Sequence, residues 1–120
     1  MNEPPHDPAE QRVAPRRSLI VPVTVMVAAD RRLVGRTLDV SAVGLGLTLP
    51  ESLPSGSAVA VAFDLPTPMS GHVPIRAGAR IAYCALVPKS GHYRTGVQWV
   101  TMTEEMRRIV RAFSIGLQGA

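Results

Sequence analysis

Two short segments of the sequence carry side chains suited to recognising an anionic or flat polar ligand. The first, residues 12–17, holds three arginines, Arg12, Arg16 and Arg17, around a proline. An arginine fork presents planar, bidentate donors that match phosphate oxygens and the O6/N7 edge of guanine. A solvated basic linker is the commoner cause of such a run. The position of the three arginines directly before the first predicted strand keeps a binding role open.

The second segment contains Asp39, Ser41 and Gly44. Asp39 and Ser41 are two residues apart, so on an extended strand both side chains point to the same face. Gly44 suits a turn, a bulge or the close approach of a ligand to the backbone. Asp, Ser and Gly are also the residues that turns select, and by itself the pattern favours turn chemistry. A ligand seat and a turn both remain open at this point.

Alternating apolar residues between turn signals predict an antiparallel β-structure. The predicted strands are residues 19–27, 33–40, 43–49, 57–65, 75–86 and 92–100. We expect residues 66–74, with their three prolines, to form a loop, and Gly78 to mark a bulge or bend. Residues 57–65 are apolar on both parities, which predicts a strand covered on both faces. The spacing predicts a mostly β fold, a six- or seven-stranded antiparallel barrel.

The end of the chain changes to helical periodicity. Thr103 is a good N-cap, and Glu104 and Glu105 suit the first turn of a helix. An apolar stripe follows at helical spacing: Met106, Ile109, Val110, Phe113 and Leu117. The other face carries three arginines whose role the sequence leaves open: Arg107, Arg108 and Arg111. We therefore predict a C-terminal α-helix packed against the barrel.

Length and composition limit the domain organisation. The 120 residues, 46% of them hydrophobic and 18% charged, suit one globular domain. We assign residues 1–11 to an extended, proline-rich tail and residues 12–118 to the domain. The single cysteine, Cys84, lies in an apolar strand and suits a reducing cytoplasm. No apolar run approaches the ~20 residues of a membrane span, so we expect a cytoplasmic protein without a transmembrane segment.

The same composition argues against several functions. The net charge of +4 suggests an anionic partner, but only 4% of the residues are aromatic, and single-stranded nucleic acids bind by stacking on aromatic rings. We therefore expect no DNA or RNA partner. The three histidines are scattered, with no Cys–His pairing and no carboxylate dyad on one element. We expect no enzyme, no metal site and no cofactor.

In combination, the two segments resemble the PilZ domain family, bacterial receptor domains for the second messenger cyclic di-GMP. The family has an Arg-x-x-x-Arg motif before its first strand, which Arg12-x-x-x-Arg16 matches. Some twenty residues later it has Asp/Asn-x-Ser-x-x-Gly, which Asp39-x-Ser41-x-x-Gly44 matches in full. Either motif alone arises often by chance. Two in this order, on the expected strand framework, are far more specific.

A late Gly-Val-x-aromatic strand, here residues 96–99, extends the resemblance to residues 12–117. The resemblance implies a PilZ-like split barrel that binds one cyclic di-GMP or a stacked pair. The implied contacts are Arg12, Arg16, Asp39, Ser41 and Gly44, with Arg17 as a further phosphate contact. It also implies that the arginine arm becomes ordered on binding and that an unidentified effector protein responds. The alternative is a nucleotide-independent PilZ-like adaptor, which ranks second because both motifs are present.

Overall fold

The computed structural model describes residues 14–69 and 71–116. The elements are seven strands and a helix: β1 (Arg16–Ser18), β2 (Pro22–Ala28), β3 (Arg31–Ser41), β4 (Gly44–Leu49), β5 (Ala58–Thr67), β6 (Gly71–Val87), β7 (His92–Thr101) and α1 (Glu104–Ser114). Neighbouring strands run antiparallel in the order β1-β3-β2-β5-β6-β7-β4, and β4 pairs back onto β3. Strands β2–β7 therefore close into a ring, with β1 added to the edge of β3. The predicted barrel is confirmed.

Aliphatic side chains fill the barrel. Inward-facing positions alternate along the strands, and Val25, Leu47, Leu65 and Ile75 are fully buried. Burial of a side chain of this size contributes about 1.5–3 kcal/mol. The ring of the buried Phe63 stacks with that of the partly buried Trp99, and the ring centroids are 6.4 Å apart. Apolar packing therefore holds the ring of strands closed and leaves the outer surface free for polar chemistry.

The helix α1 packs onto this core as predicted. The Thr103 hydroxyl accepts a hydrogen bond from the Met106 amide at 3.1 Å, and Glu104 and Glu105 occupy the first turn. Val110 is fully buried, and Met106 is partly buried beside it. Leu117, the last member of the predicted stripe, lies outside the described residues.

The predicted loop over residues 66–74 is wrong. β5 continues to Thr67 and β6 begins at Gly71, so the hairpin turn is short. Pro66 and Pro74 lie where the hairpin extends past β2 and β7, and each has a partner strand on one side only. Edge positions of this kind accept proline because no second ladder needs its missing N–H.

Two other strand predictions had different outcomes. The prediction that residues 57–65 are covered on both faces is wrong, because Ala58 and Ala60 on the outer face are exposed. Alanine has little apolar surface, so its exposure is inexpensive. The irregularity predicted at Gly78 is confirmed by a register shift against β7 between Gly78 and Ala79.

The first predicted strand, residues 19–27, begins three residues too early, because residues 19–21 form the connection between β1 and β2. One buried hydroxyl fixes this connection. The Thr37 side chain is 0% exposed. Its Oγ1 donates to the Leu19 carbonyl and accepts from the Val21 amide at 2.9 Å. The Thr37 amide in turn donates to the Val21 carbonyl at 2.9 Å. These bonds fix the path of the chain between β1 and β2, and with it the position of β1 along β3.

Replacement of this threonine by valine keeps the side-chain shape but leaves the Leu19 carbonyl and the Val21 amide unpaired. We expect Thr37→Val to lower the free energy of unfolding by about 1–3 kcal/mol in urea denaturation. Thr24→Val, on the outer face of β2, serves as the control and should change stability by less than about 0.5 kcal/mol. Equal losses in the two variants would contradict this role for Thr37.

Candidate functional site

Two β-bulges determine which polar side chains reach the outer face of the barrel. In β3, Thr37 pairs with Leu47 and Asp39 with Gly46, so Leu38 is an extra residue. Thr37 faces inward, and a regular strand would direct Asp39 inward as well. Because the bulge reverses the parity, the Asp39 carboxylate faces outward.

The second bulge does the same in β6. Ile81 pairs with Val97 and Tyr83 with Gly96, which makes Ala82 the extra residue. Ile81 is buried in the core, whereas the Tyr83 ring is exposed on the outer face. Without the bulge, Tyr83 would share the inward parity of Ile81. Both bulges therefore place a polar side chain on the same outer surface.

Asp39 and Tyr83 lie at the two ends of one row across four strands. Between them are Gly46 of β4 and Gly96 of β7, which pair directly with each other. We call these two residues the glycine floor. A Cβ on Gly46 would lie 2.7 Å from Asp39 Oδ1, and one on Gly96 would lie 2.3 Å from Tyr83 Cε2. The carboxylate and the ring thus lie directly against the backbone of these two buried glycines, in the space that a Cβ would fill.

Arg16 forms an ion pair with Asp39 beside the glycine floor. Its Nη1 lies 3.2 Å from Asp39 Oδ1, and the side chains are 44% and 24% exposed. The pairing follows from the register of β1, in which Arg16 is opposite Ser41 and Ser18 is opposite Asp39. A partly exposed pair with a single contact contributes only about 0–1 kcal/mol. Both groups are therefore available to a ligand at little cost.

Ser41 and Gly44 form the tight connection between β3 and β4. Ser41 is 1% exposed, and its Oγ accepts hydrogen bonds from the amides of Val43 and Gly44, each at 3.2 Å. A Cβ on Gly44 would lie 2.1 Å from the Val97 carbonyl oxygen, so the close approach of β7 requires glycine here. In this structure both residues therefore stabilise the turn, which is the role that the pattern by itself favoured.

Arg17 lies on the opposite face of β1 from Arg16. Its Nη1 donates to the Phe113 carbonyl at 3.1 Å, and its guanidinium carbon lies 4.2 Å from the centroid of the Phe113 ring. A cation at this position is favoured both by the ring face and by the C-terminal end of the helix dipole. The predicted contact Arg12 lies outside the described residues.

Sequence reasoning missed three outward-facing residues that border the glycine floor. Tyr83 is one, and the others are Gln98 and Arg80, which pair with each other and continue the row of Gly44. The glycine of the Gly-Val motif was visible in the sequence, but its facing partner on β6 was not. Alternation along β6 assigns Tyr83 to the wrong face unless the bulge at Ala82 is known.

Two other features are absent from residues 14–69 and 71–116. No three His, Cys, Asp or Glu side chains there come together in a way that could hold a metal ion. No helix of that part of the chain has the length and apolar character needed to cross a membrane.

Solved structures with a similar fold include two of direct interest. The first is the Bacillus subtilis inhibitor of motility MotI/DgrA, with a TM-score of 0.74, 16% sequence identity and 85% of this chain covered. This chain spans about half of that protein, 48% of its length. The second is the PilZ domain of YcgR from Escherichia coli with c-di-GMP, with a TM-score of 0.62, 16% identity, and 87% of this chain and 88% of that one covered.

No curated protein sequence matches the chain significantly. The sequence profile of the PilZ domain, in contrast, matches residues 10–116, nearly the whole chain. The match includes both motifs, the seven strands and the helix. This chain belongs to the PilZ domain family.

Proposed function

We propose that this PilZ domain is a receptor for cyclic di-GMP, with Arg16 and Asp39 as its central contacts. The observation that carries the proposal is the weak Arg16–Asp39 ion pair beside the glycine floor. The Asp39 carboxylate can accept from the N1–H and the exocyclic amine of a guanine. The Arg16 fork can donate to the Hoogsteen edge of a guanine or to a phosphate. The ligand therefore replaces a weak pair with several charge-assisted hydrogen bonds.

The shape of the surface supports the same ligand. Gly46 and Gly96 let the Asp39 carboxylate and the Tyr83 ring lie low against the sheet, so a purine that contacts these two side chains also lies close to the sheet. Tyr83, at the far end of the row, offers the face or edge of a ring to the base. Ser41 and Gly44 contribute by holding the turn that carries Asp39, and Arg12 is proposed as the second arginine of the arm.

The arm connects the ligand to the helix. β1 has Arg16 on the ligand side and Arg17 on Phe113, and α1 packs against β1 and β3. We propose that binding orders the arm, and that an effector protein responds to the resulting change at β1 and α1. A direct contact of Arg17 with a phosphate requires it to leave Phe113, so we assign Arg17 first to this connection.

The comparisons support a receptor or adaptor rather than an enzyme, since one similar structure is a PilZ domain solved with c-di-GMP and another is named an inhibitor of motility. By the family expectation the receptor is cytoplasmic. A nucleotide-independent adaptor is the second candidate. It is favoured by the ion pair that Arg16 and Asp39 already form with each other in this structure.

Isothermal titration with cyclic di-GMP tests the proposal. We expect selective binding over GTP and cyclic di-AMP. Arg16→Ala and Asp39→Ala should each weaken it by about tenfold or more, because each removes charge-assisted hydrogen bonds. Both residues are partly exposed, so the variants should stay folded by circular dichroism. Arg76→Ala is the control, because this exposed arginine of β6 lies opposite Ala62 of β5 and outside the part of β6 that pairs with β7; the variant should bind as the wild type does. A folded wild-type chain without binding would refute the receptor and favour the adaptor.

Arg17→Met tests the assignment of Arg17 to the connection with α1. The variant keeps an unbranched apolar stem but loses the hydrogen bond and the cation–π contact, worth about 0.5–2 kcal/mol. We expect faster amide hydrogen exchange in the last turn of α1, at Ser114 and Ile115, with binding weakened less than by Arg16→Ala. Arg108→Met, on the exposed face of α1, should leave this exchange unchanged. Binding lost as fully as in Arg16→Ala would instead identify Arg17 as a ligand contact.

A further inference from the structure

A second row of polar side chains crosses the same outer face. Arg36 of β3 pairs with Thr48 of β4, and Thr48 pairs with Arg94 of β7. All three have outward parity, since their neighbours Thr37, Leu47, Leu49 and Thr95 are buried. On β4 the row lies two residues from Gly46, about 7 Å along the strand. It is therefore directly adjacent to the row of Asp39 and the glycine floor.

The two arginines of this row have no acidic partner among the described residues. The ion pairs there are Arg16 with Asp39 and Arg31 with Glu51. Both Arg36 and Arg94 are exposed, and neither side chain makes a hydrogen bond within residues 14–69 and 71–116. Their Cα atoms lie two strand spacings apart, about 10 Å, on either side of the Thr48 hydroxyl. Two flexible forks and a hydroxyl at this spacing can converge on one phosphate.

The surface beside this row is also concave. Arg36 and Thr48 border an open hollow of about 510 Å³. The other residues lining it are Pro22, Val34, Gly35, Pro50 and His92. The wall therefore combines a cationic edge with apolar side chains, which suits a phosphate attached to a sugar or base rather than a free, fully hydrated anion.

We propose that Arg36, Thr48 and Arg94 form a second anion-binding subsite that takes a phosphodiester of a cyclic dinucleotide. The choice of ligand rests on the proposed function. The subsite itself is inferred from the strand register and from the two arginines that have no acidic partner among the described residues. The phosphate can be the more distant of the two phosphates of the ligand bound at the glycine floor. It can also belong to a second ligand molecule. The number of molecules bound per chain distinguishes these two sources.

The test is calorimetry of the full chain with cyclic di-GMP at two salt concentrations. We expect the double variant Arg36→Gln/Arg94→Gln to bind about tenfold or more weakly, and its affinity to depend less on salt. If a second molecule is held, the variant binds one ligand per chain where the wild type binds two. The matched control is Arg32→Gln/Arg76→Gln, with the same charge change elsewhere, which should bind as the wild type does. Wild-type affinity, stoichiometry and salt dependence in the Arg36/Arg94 variant would overturn the subsite.

A second arm separates this inference from the proposed receptor function. Pyrophosphate is titrated into the wild-type chain while the backbone amides of Arg36, Thr48 and Arg94 are followed by NMR. Saturable shifts there, absent from the Arg36→Gln/Arg94→Gln variant, support the subsite even if cyclic di-GMP does not bind. Failure of both pyrophosphate and cyclic di-GMP to shift these amides would overturn it.

Discussion

The extra residue at Leu38 is the constraint on which the site depends. One strand, β3, must hold Thr37 inside the barrel, where its hydroxyl fixes the connection between β1 and β2, and must also hold Asp39 outside. A regular strand cannot do both, because residues two positions apart share a face. The bulge makes both orientations possible, because its one extra residue reverses the face to which the following side chains point.

The bulge determines the contacts of β1. The Thr37 bonds fix where β1 begins to run along β3, and the reversed parity puts the Asp39 carboxylate within reach of Arg16. Because side chains alternate along β1, the next residue, Arg17, faces α1 and contacts Phe113. A three-residue strand with few pairing bonds can change its order readily, so it is a suitable element to couple a ligand to a helix.

Much of this architecture could be predicted from the sequence. Apolar alternation located the strands of the barrel, and the Thr103 cap with the apolar stripe after it located the helix. The failures have local causes. Prolines indicated a loop where an edge hairpin tolerates them, and the exposed face of β5 was masked by small alanines.

The site was predictable in its motifs but not in its surroundings. The Asp39–Ser41–Gly44 spacing located the turn that carries the carboxylate. Neighbours that depend on strand register, such as Gly96 under Tyr83 or Arg94 opposite Thr48, lie far apart in the chain. Bulges such as that at Ala82 reverse alternation and leave no clear trace in composition. Arg17 could not be separated from Arg16 without knowing that α1 returns to β1.

The most direct test of the central claim is an NMR titration of the full chain with cyclic di-GMP, following backbone amides. In this account the ligand binds above the glycine floor and replaces the Arg16–Asp39 ion pair with its own hydrogen bonds to both side chains. We predict the largest saturable shifts at Asp39, Gly46 and Gly96. Shifts concentrated instead around Thr24 and Ala62, which line a separate hollow of about 420 Å³ between β2, β5 and β6, would contradict it.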